Sequence, residues 1–237
     1  MSTNAPRQRL ARVIGALYLV QMATGVFGQS FVRDRLIAPG DAAKSAQNII
    51  GAEQLFRLSI AGDLVTYIAV IVLTWALYIL LRPVDQNLAL LAAFFRLVEN
   101  AVLCFATVGS LFALKLVRGA VDLPGFEASR LNSTAALALN AQGLAMTVGF
   151  VFLGLGSAVF AFVLLKSRYI PKALAAWGVF ASLLLAIGTL TTIVCPGLGV
   201  VGLAYMVPMG LYEVGLGFWL LVKGVRVPLP VPSPTEA

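Results

Sequence analysis

The sequence predicts an all-α polytopic membrane protein, a bundle of six transmembrane helices with small helical segments on its outer side. Three observations predict it. Hydrophobic residues make up 60% of the chain and charged residues 11%, where a soluble domain carries about a quarter charged. Mean hydropathy is +0.94. Six apolar runs, at residues 10–31, 55–81, 88–114, 140–165, 173–195 and 201–222, each reach the length that crosses a hydrocarbon core of roughly 30 Å. Each run must be helical, because lipid cannot satisfy exposed backbone groups. The 237 residues form a single membrane domain.

The first run follows Arg7, Arg9 and Arg12, as in a signal peptide. It continues to Phe31 without an early small-residue cleavage site, so it reads as a retained span. Pro39-Gly40-Asp41 then marks a turn and a helix cap, with Asp41 as the cap residue. Residues 42–54 form a surface helix that feeds the second run. A short link, 82–87, leads to the third run. Residues 118–139 make a long connection with a turn signal at Asp122-Leu123-Pro124-Gly125, and together with 32–54 they form an outer cap. Between the fourth and fifth runs lies Lys166-Ser167-Arg168-Tyr169-Ile170-Pro171-Lys172, with Pro171 marking the next helix start. The link Cys195-Pro196-Gly197-Leu198-Gly199 is short and uncharged. Pro208 sits five residues before Glu213 and, with nearby glycines, predicts a kinked sixth helix. The tail 227–237, with four prolines, is predicted to be disordered.

Charge placement sets orientation. With the N-terminus inside, nine Lys and Arg residues fall on the inner side and six on the outer, which predicts cytoplasmic N- and C-termini. The basic residues bracket apolar runs and do not cluster with exposed aromatics. The predicted partner is therefore the lipid bilayer, and nucleic acid is excluded. There is no histidine, the commonest proton-transfer group near neutral pH. Cys104 and Cys195 fall roughly 15 Å apart along the membrane normal at 1.5 Å per residue. No disulfide is expected between them, and both read as buried structural thiols. No phosphate-binding glycine loop, paired-cysteine metal motif or nucleophile elbow is present. No cofactor, metal site or catalytic residue is therefore predicted.

The informative residues are polar ones inside the runs. At 100° per residue, Arg96, Glu99, Asn100, Thr107 and Ser110 share one face of the third span. Ser59, Asp63, Thr66, Tyr67, Thr74 and Tyr78 share one face of the second. Tyr18, Gln21, Gly25 and Gln29 do so on the first, and Met206, Gly210, Glu213 and Gly217 on the sixth. These stripes should face one another, because lipid-facing polar groups are disfavoured. Depth along each helix puts Glu99 and Glu213 level near the membrane centre, Arg96 just to the cytoplasmic side and Asp63 toward the outside. Arg96 can reach Glu99 on its own helix or Glu213 across the bundle, but is poorly placed for Asp63. Three acids then face one base. The surplus carboxylates must be hydrated, protonated or matched by a cation, since each charge at the bilayer centre costs about 2.5–3.5 kcal/mol on the insertion scale. The candidate binding cluster is Arg96, Glu99, Glu213, Asp63, Asn100 and Tyr67. Arg57, close to the outer surface, reads as structural.

The segments Phe31-Val32-Arg33-Asp34-Arg35-Leu36-Ile37-Ala38-Pro39-Gly40-Asp41, Leu80-Leu81-Arg82-Pro83-Val84-Asp85-Gln86-Asn87, Phe94-Phe95-Arg96-Leu97-Val98-Glu99 and Lys166-Ser167-Arg168-Tyr169-Ile170-Pro171 carry a resemblance. From Arg9 to Val225 the chain resembles domain-of-unknown-function family 4386, a group of uncharacterised bacterial six-helix integral membrane proteins. The resemblance implies a multi-pass protein of the bacterial inner membrane, and no activity.

The charge count favours a membrane-embedded binding or transport module for a small amphiphilic or cationic solute, linked to protons. The alternative is a structural or partner-binding membrane protein with no transported substrate. An intramembrane enzyme stands third, because no nucleophile accompanies the acids.

Overall fold

Six helices long and apolar enough to cross a membrane are present in a computed structural model that describes residues 4–122, 125–195 and 204–226. Helix α1 (Asn4–Val26) continues through a π-helical segment, Phe27–Arg33, into the short α2 (Asp34–Leu36). The surface helix α3 (Ala42–Gly51) precedes α4 (Glu53–Leu81), α5 (Gln86–Val121), α6 (Phe126–Ser167), α7 (Lys172–Val194) and α8 (Val207–Val222).

The cap signals act where the residue types require. The Asp41 side chain accepts the Lys44 N–H at 2.9 Å, and Asp85 accepts the Leu88 N–H at 3.1 Å, each filling an orphan donor of a helix start. Pro171 caps α7. A break at Ala52 (φ −127°, ψ 37°) separates α3 from α4, so the surface helix ends before the expected residue 54.

The helices overrun their apolar runs. Helix α6 begins 14 residues before the expected start at 140, and α5 runs on to Val121. Most of the expected outer connection 118–139 is therefore helix, held by hydrogen bonds within its own backbone. Among the described residues, the expected cap consists of these extensions together with the short α2 and α3. Pro208 does not kink a helix. It lies in the first turn of α8, where its missing N–H is an orphan in any case. Gly197, Gly199, Gly202 and the tail 227–237 lie outside the described residues. Both cysteines are free and exposed, which corrects their expected burial.

Each spanning helix packs on its neighbour in the chain, and α8 packs back on α1. The result is a ring closed in sequence order. The two ends of the described residues lie on one face: Gln8 exchanges two hydrogen bonds with the Val225 backbone, and the Arg226 N–H donates to the Tyr169 carbonyl at 2.8 Å. We call this the termini face.

Inside the ring are two apolar cores. The larger lies toward the termini face and contains Ile14, Leu77, Leu81, Ala92, Phe160, Leu164, Leu216 and Leu220. The smaller lies toward the opposite face and contains Val32, Ile49, Phe56, Ile60, Leu114 and Leu139. Between them, on α1, α4, α5 and α6, the buried residues turn polar: Gln21, Asp63, Glu99, Asn100, Thr107, Ser110 and Gln142. Glu213 of α8 is buried with them. A belt of hydrogen-bonding and charged groups thus crosses the centre of the bundle between two dry layers.

Candidate functional site

Two charge centres make up the belt. The first is built on α5, where Arg96 and Glu99 are three residues apart and share a face. Arg96 Nη1 lies 2.9 Å from Glu99 Oε2, with both side chains almost wholly enclosed. The room for Arg96 comes from α6. A Cβ at Gly156 would lie 3.0 Å from Arg96 Cγ and 3.1 Å from the Ala92 carbonyl, so a larger residue there would crowd the arginine and the facing helix. From α8, Glu213 is 6% exposed and sits near enough to act on both Arg96 and Glu99. Helix α1 adds Tyr18, which Arg96 also feels, and Gln21, beside the Glu213 carboxylate. The expected convergence of stripes from the first, third and sixth spans is present.

Hydrogen bonding at this centre is incomplete. The 2.9 Å ion pair lacks the alignment of a hydrogen bond, and Arg96 Nη1, Glu99 Oε2, Glu213 Oε1, Gln21 Oε1 and Asn100 Oδ1 are all enclosed without a hydrogen-bond partner. Buried polar atoms are paired in the great majority of cases. The two atoms of the ion pair and three enclosed oxygens near it form a concentrated exception.

The second centre corrects the expected charge balance. Asp63 does not join the acids of the first centre. It is paired with Arg33, whose Nη1 donates to Asp63 Oδ1 at 3.3 Å while Nη2 contacts Oδ2 more closely. Arg33 was expected in an outer loop but is 5% exposed. The cause is local. Helix α1 does not stop at the membrane edge, and its π-helical turn, a form common at functional sites, carries Arg33 inward. Gly28 lies against the pair, with its Cβ direction 3.1 Å from Asp63 Oδ1. A signal for this was present: Arg33 follows Gln29 by four residues, extending the polar stripe of the first span by one turn. With Arg33 counted, three acids face two bases, and the surplus is one carboxylate.

Asn100 and Tyr67 lie between the centres. Asn100 Nδ2 donates to the Tyr67 carbonyl at 3.2 Å, and Thr107 hydrogen-bonds to the Tyr67 hydroxyl at 3.3 Å. Ser110 and Gln142 are hydrogen-bonded across α5 and α6. The sequence reading missed Gln142 because the fourth span shows no polar stripe. Tyr212, fully enclosed and next to Glu213 in the chain, lies outside the stripe read on the sixth span. Arg57 pairs with Glu53 at 2.7 Å near the surface, in line with its structural reading.

Two hollows bear on access. An open apolar groove of about 570 Å³ runs between α1 and α8, lined by residues that include Met22, Ala23, Phe31, Val214 and Phe218. A smaller one of about 260 Å³ lies among α3, α5 and α6, lined by residues that include Ala46, Ile50 and Asn132. Neither is lined by Arg96, Glu99 or Glu213.

Comparison with known proteins gives a consistent picture. Residues 13–224 match the family described as Domain of unknown function (DUF4386). An uncharacterised protein of Archaeoglobus fulgidus is 31% identical over 180 residues, covering 74% of this chain and 90% of the relative. No solved structure matches.

Proposed function

Starting from the chain's membership of the DUF4386 family, a family defined without an activity, we propose that it is a membrane-embedded binding module for a small cationic or amphiphilic solute, linked to protons. The observation that carries this reading is the first charge centre. One base and two acids are enclosed together, and enclosed acceptor atoms there have no donor. An ion pair offsets the burial of two charges, but a further carboxylate in a low-dielectric interior must bind a proton or a cation. Glu213 is that group: Glu99 has Arg96 at 2.9 Å, and Glu213 has no ion pair among the described residues. Proton and cation then compete for one seat. We place both termini in the cytoplasm of an inner membrane, on the basic residues of the termini face.

A purely structural role draws support from the close packing of Gly156 on Arg96, and one experiment separates the two readings. Purified protein in weakly buffered nanodiscs is mixed with the long-chain amine dodecylammonium, and released protons are counted. Wild type should release about one proton per bound cation, and Glu213→Gln should release none. Equal release and equal binding by the two proteins would overturn the proposal.

A further inference from the structure

Helices α1 and α8 run antiparallel, and their glycines fix the register. A Cβ at Gly15 would lie 2.5 Å from the Leu221 nitrogen and 2.6 Å from the Gly217 carbonyl. One at Gly217 would lie 3.0 Å from Leu19 Cδ2, and one at Gly210 would lie 3.8 Å from Met22 Cε. Gln21 of α1 and Glu213 of α8 stand level between these contacts, and their side chains are hydrogen-bonded. Both residues are 6% exposed. An ionised carboxylate can only accept, so the Gln21 NH2 is the donor and its carbonyl is left over.

Two oxygens in this pair, Gln21 Oε1 and Glu213 Oε1, are enclosed without a hydrogen-bond partner. The bond between the side chains therefore uses Glu213 Oε2. Each enclosed acceptor forgoes a bond that it would have in water. No described residue supplies the missing donor. Arg96 faces Glu99 at 2.9 Å. Tyr18 and Tyr212 are near enough to feel Glu213, but neither hydroxyl bonds to its Oε1. Helix α7, which also packs on α8, turns Gly178 to the Tyr212 ring and Ser182 to Met209, and neither residue titrates. One proton answers both acceptors. Carried on Glu213 Oε1, it donates to Gln21 Oε1 while the Gln21 NH2 goes on donating to Glu213 Oε2. A carboxylic acid and a primary amide match donor to acceptor at both positions.

We propose that Gln21 is the second half of a proton seat: Glu213 takes up a proton from water on Oε1 and closes a two-bond acid–amide ring with Gln21. The charge of the group formed by Arg96, Glu99 and Glu213 then goes from one negative to zero. This rests on the proton-linked binding role proposed above and names the residue that receives the proton's hydrogen bond. The ring also makes the seat selective. A proton adds no heavy atom to the contact between α1 and α8, whereas an ammonium would have to displace the Gln21 amide from Glu213.

The test is infrared spectroscopy of purified full-length protein in nanodiscs at about pH 6, where an unperturbed glutamate is ionised. The acid carbonyl band present in wild type and absent from Glu213→Gln belongs to protonated Glu213. In wild type this band should lie at the low frequency of a hydrogen-bonded acid. Gln21→Met keeps the length of the side chain and removes its carbonyl and its donor, and Gln21→Leu is a second variant that does the same. In either variant the band should move up to the frequency of a free acid. A band at the free-acid frequency in wild type, or at the same frequency in wild type and in the Gln21 variants, overturns the ring and leaves the proton on Glu213 standing. If wild type shows no acid band that Glu213→Gln removes, Glu213 holds no proton, and the proton-linked role fails together with the ring.

Discussion

Arg33 and Asp63, thirty positions apart, form an enclosed ion pair that ties the π-helical end of the first span to the second. Removing one partner of such a pair strands the other charge, which costs about 3–5 kcal/mol, whereas replacing both with apolar residues of similar volume is close to neutral. Arg33→Ala and Asp63→Asn should each lower the unfolding midpoint of the purified protein sharply. The double substitution Arg33→Met with Asp63→Leu should recover most of the loss. A loss in the double variant equal to the sum of the two single losses would show that the residues act independently.

On the termini face, Asp85 caps α5 and accepts a hydrogen bond from Lys166 Nζ at 2.9 Å. That bond from Lys166, followed by the one from the Leu88 N–H, holds the Asp85 carboxyl below the ordinary carboxylate range. A carboxyl held low when folded adds stability that is fully present above its unfolded pKa and is lost as pH falls through its folded pKa. Asp85→Asn keeps the cap and removes the charge. The stability difference between wild type and Asp85→Asn should therefore be constant from about pH 8 to about pH 5 and shrink below about pH 4. Thermal unfolding in steps of pH reads this directly, and a difference that stays flat down to about pH 3 would contradict it.

The two free thiols report orientation. Cys195 follows the end of α7, on the face opposite the termini, whereas Cys104 is exposed partway along α5. In intact cells, a charged, membrane-impermeant thiol reagent should modify Cys195 and spare Cys104, and an apolar maleimide should reach both. Labelling of Cys195 only after the cells are opened would place the termini outside.

The six spans were readable because lipid imposes length and helicity on any sequence that crosses it. The stripes on the first, second, third and sixth spans were readable because a helix maps spacing onto direction. What escaped was governed by helix ends. Hydropathy marks where a helix leaves lipid, whereas α6 begins at Phe126 because its backbone bonds continue through residues such as Ser129 and Asn132. The same boundary assumption put Arg33 in a loop and made Asp63 look unpaired. The role of Gly156 was also hidden, since a missing side chain leaves no trace of which neighbour needs its space.

The latch between Gln8 and Val225 joins residues 217 positions apart, and it bears on how the protein is made. The ribosome delivers α8 last, and this helix carries Glu213 on the least apolar of the six candidate spans. Until it arrives, the side of α1 that holds Tyr18 and Gln21 is uncovered, and Arg96 and Glu99 await their third neighbour. Assembly of the membrane interior is therefore deferred to the end of translation. A nascent chain cut short before Leu221 would lose the backbone against which Gly15 seats, and with it the close contact of α1 and α8 at the termini face.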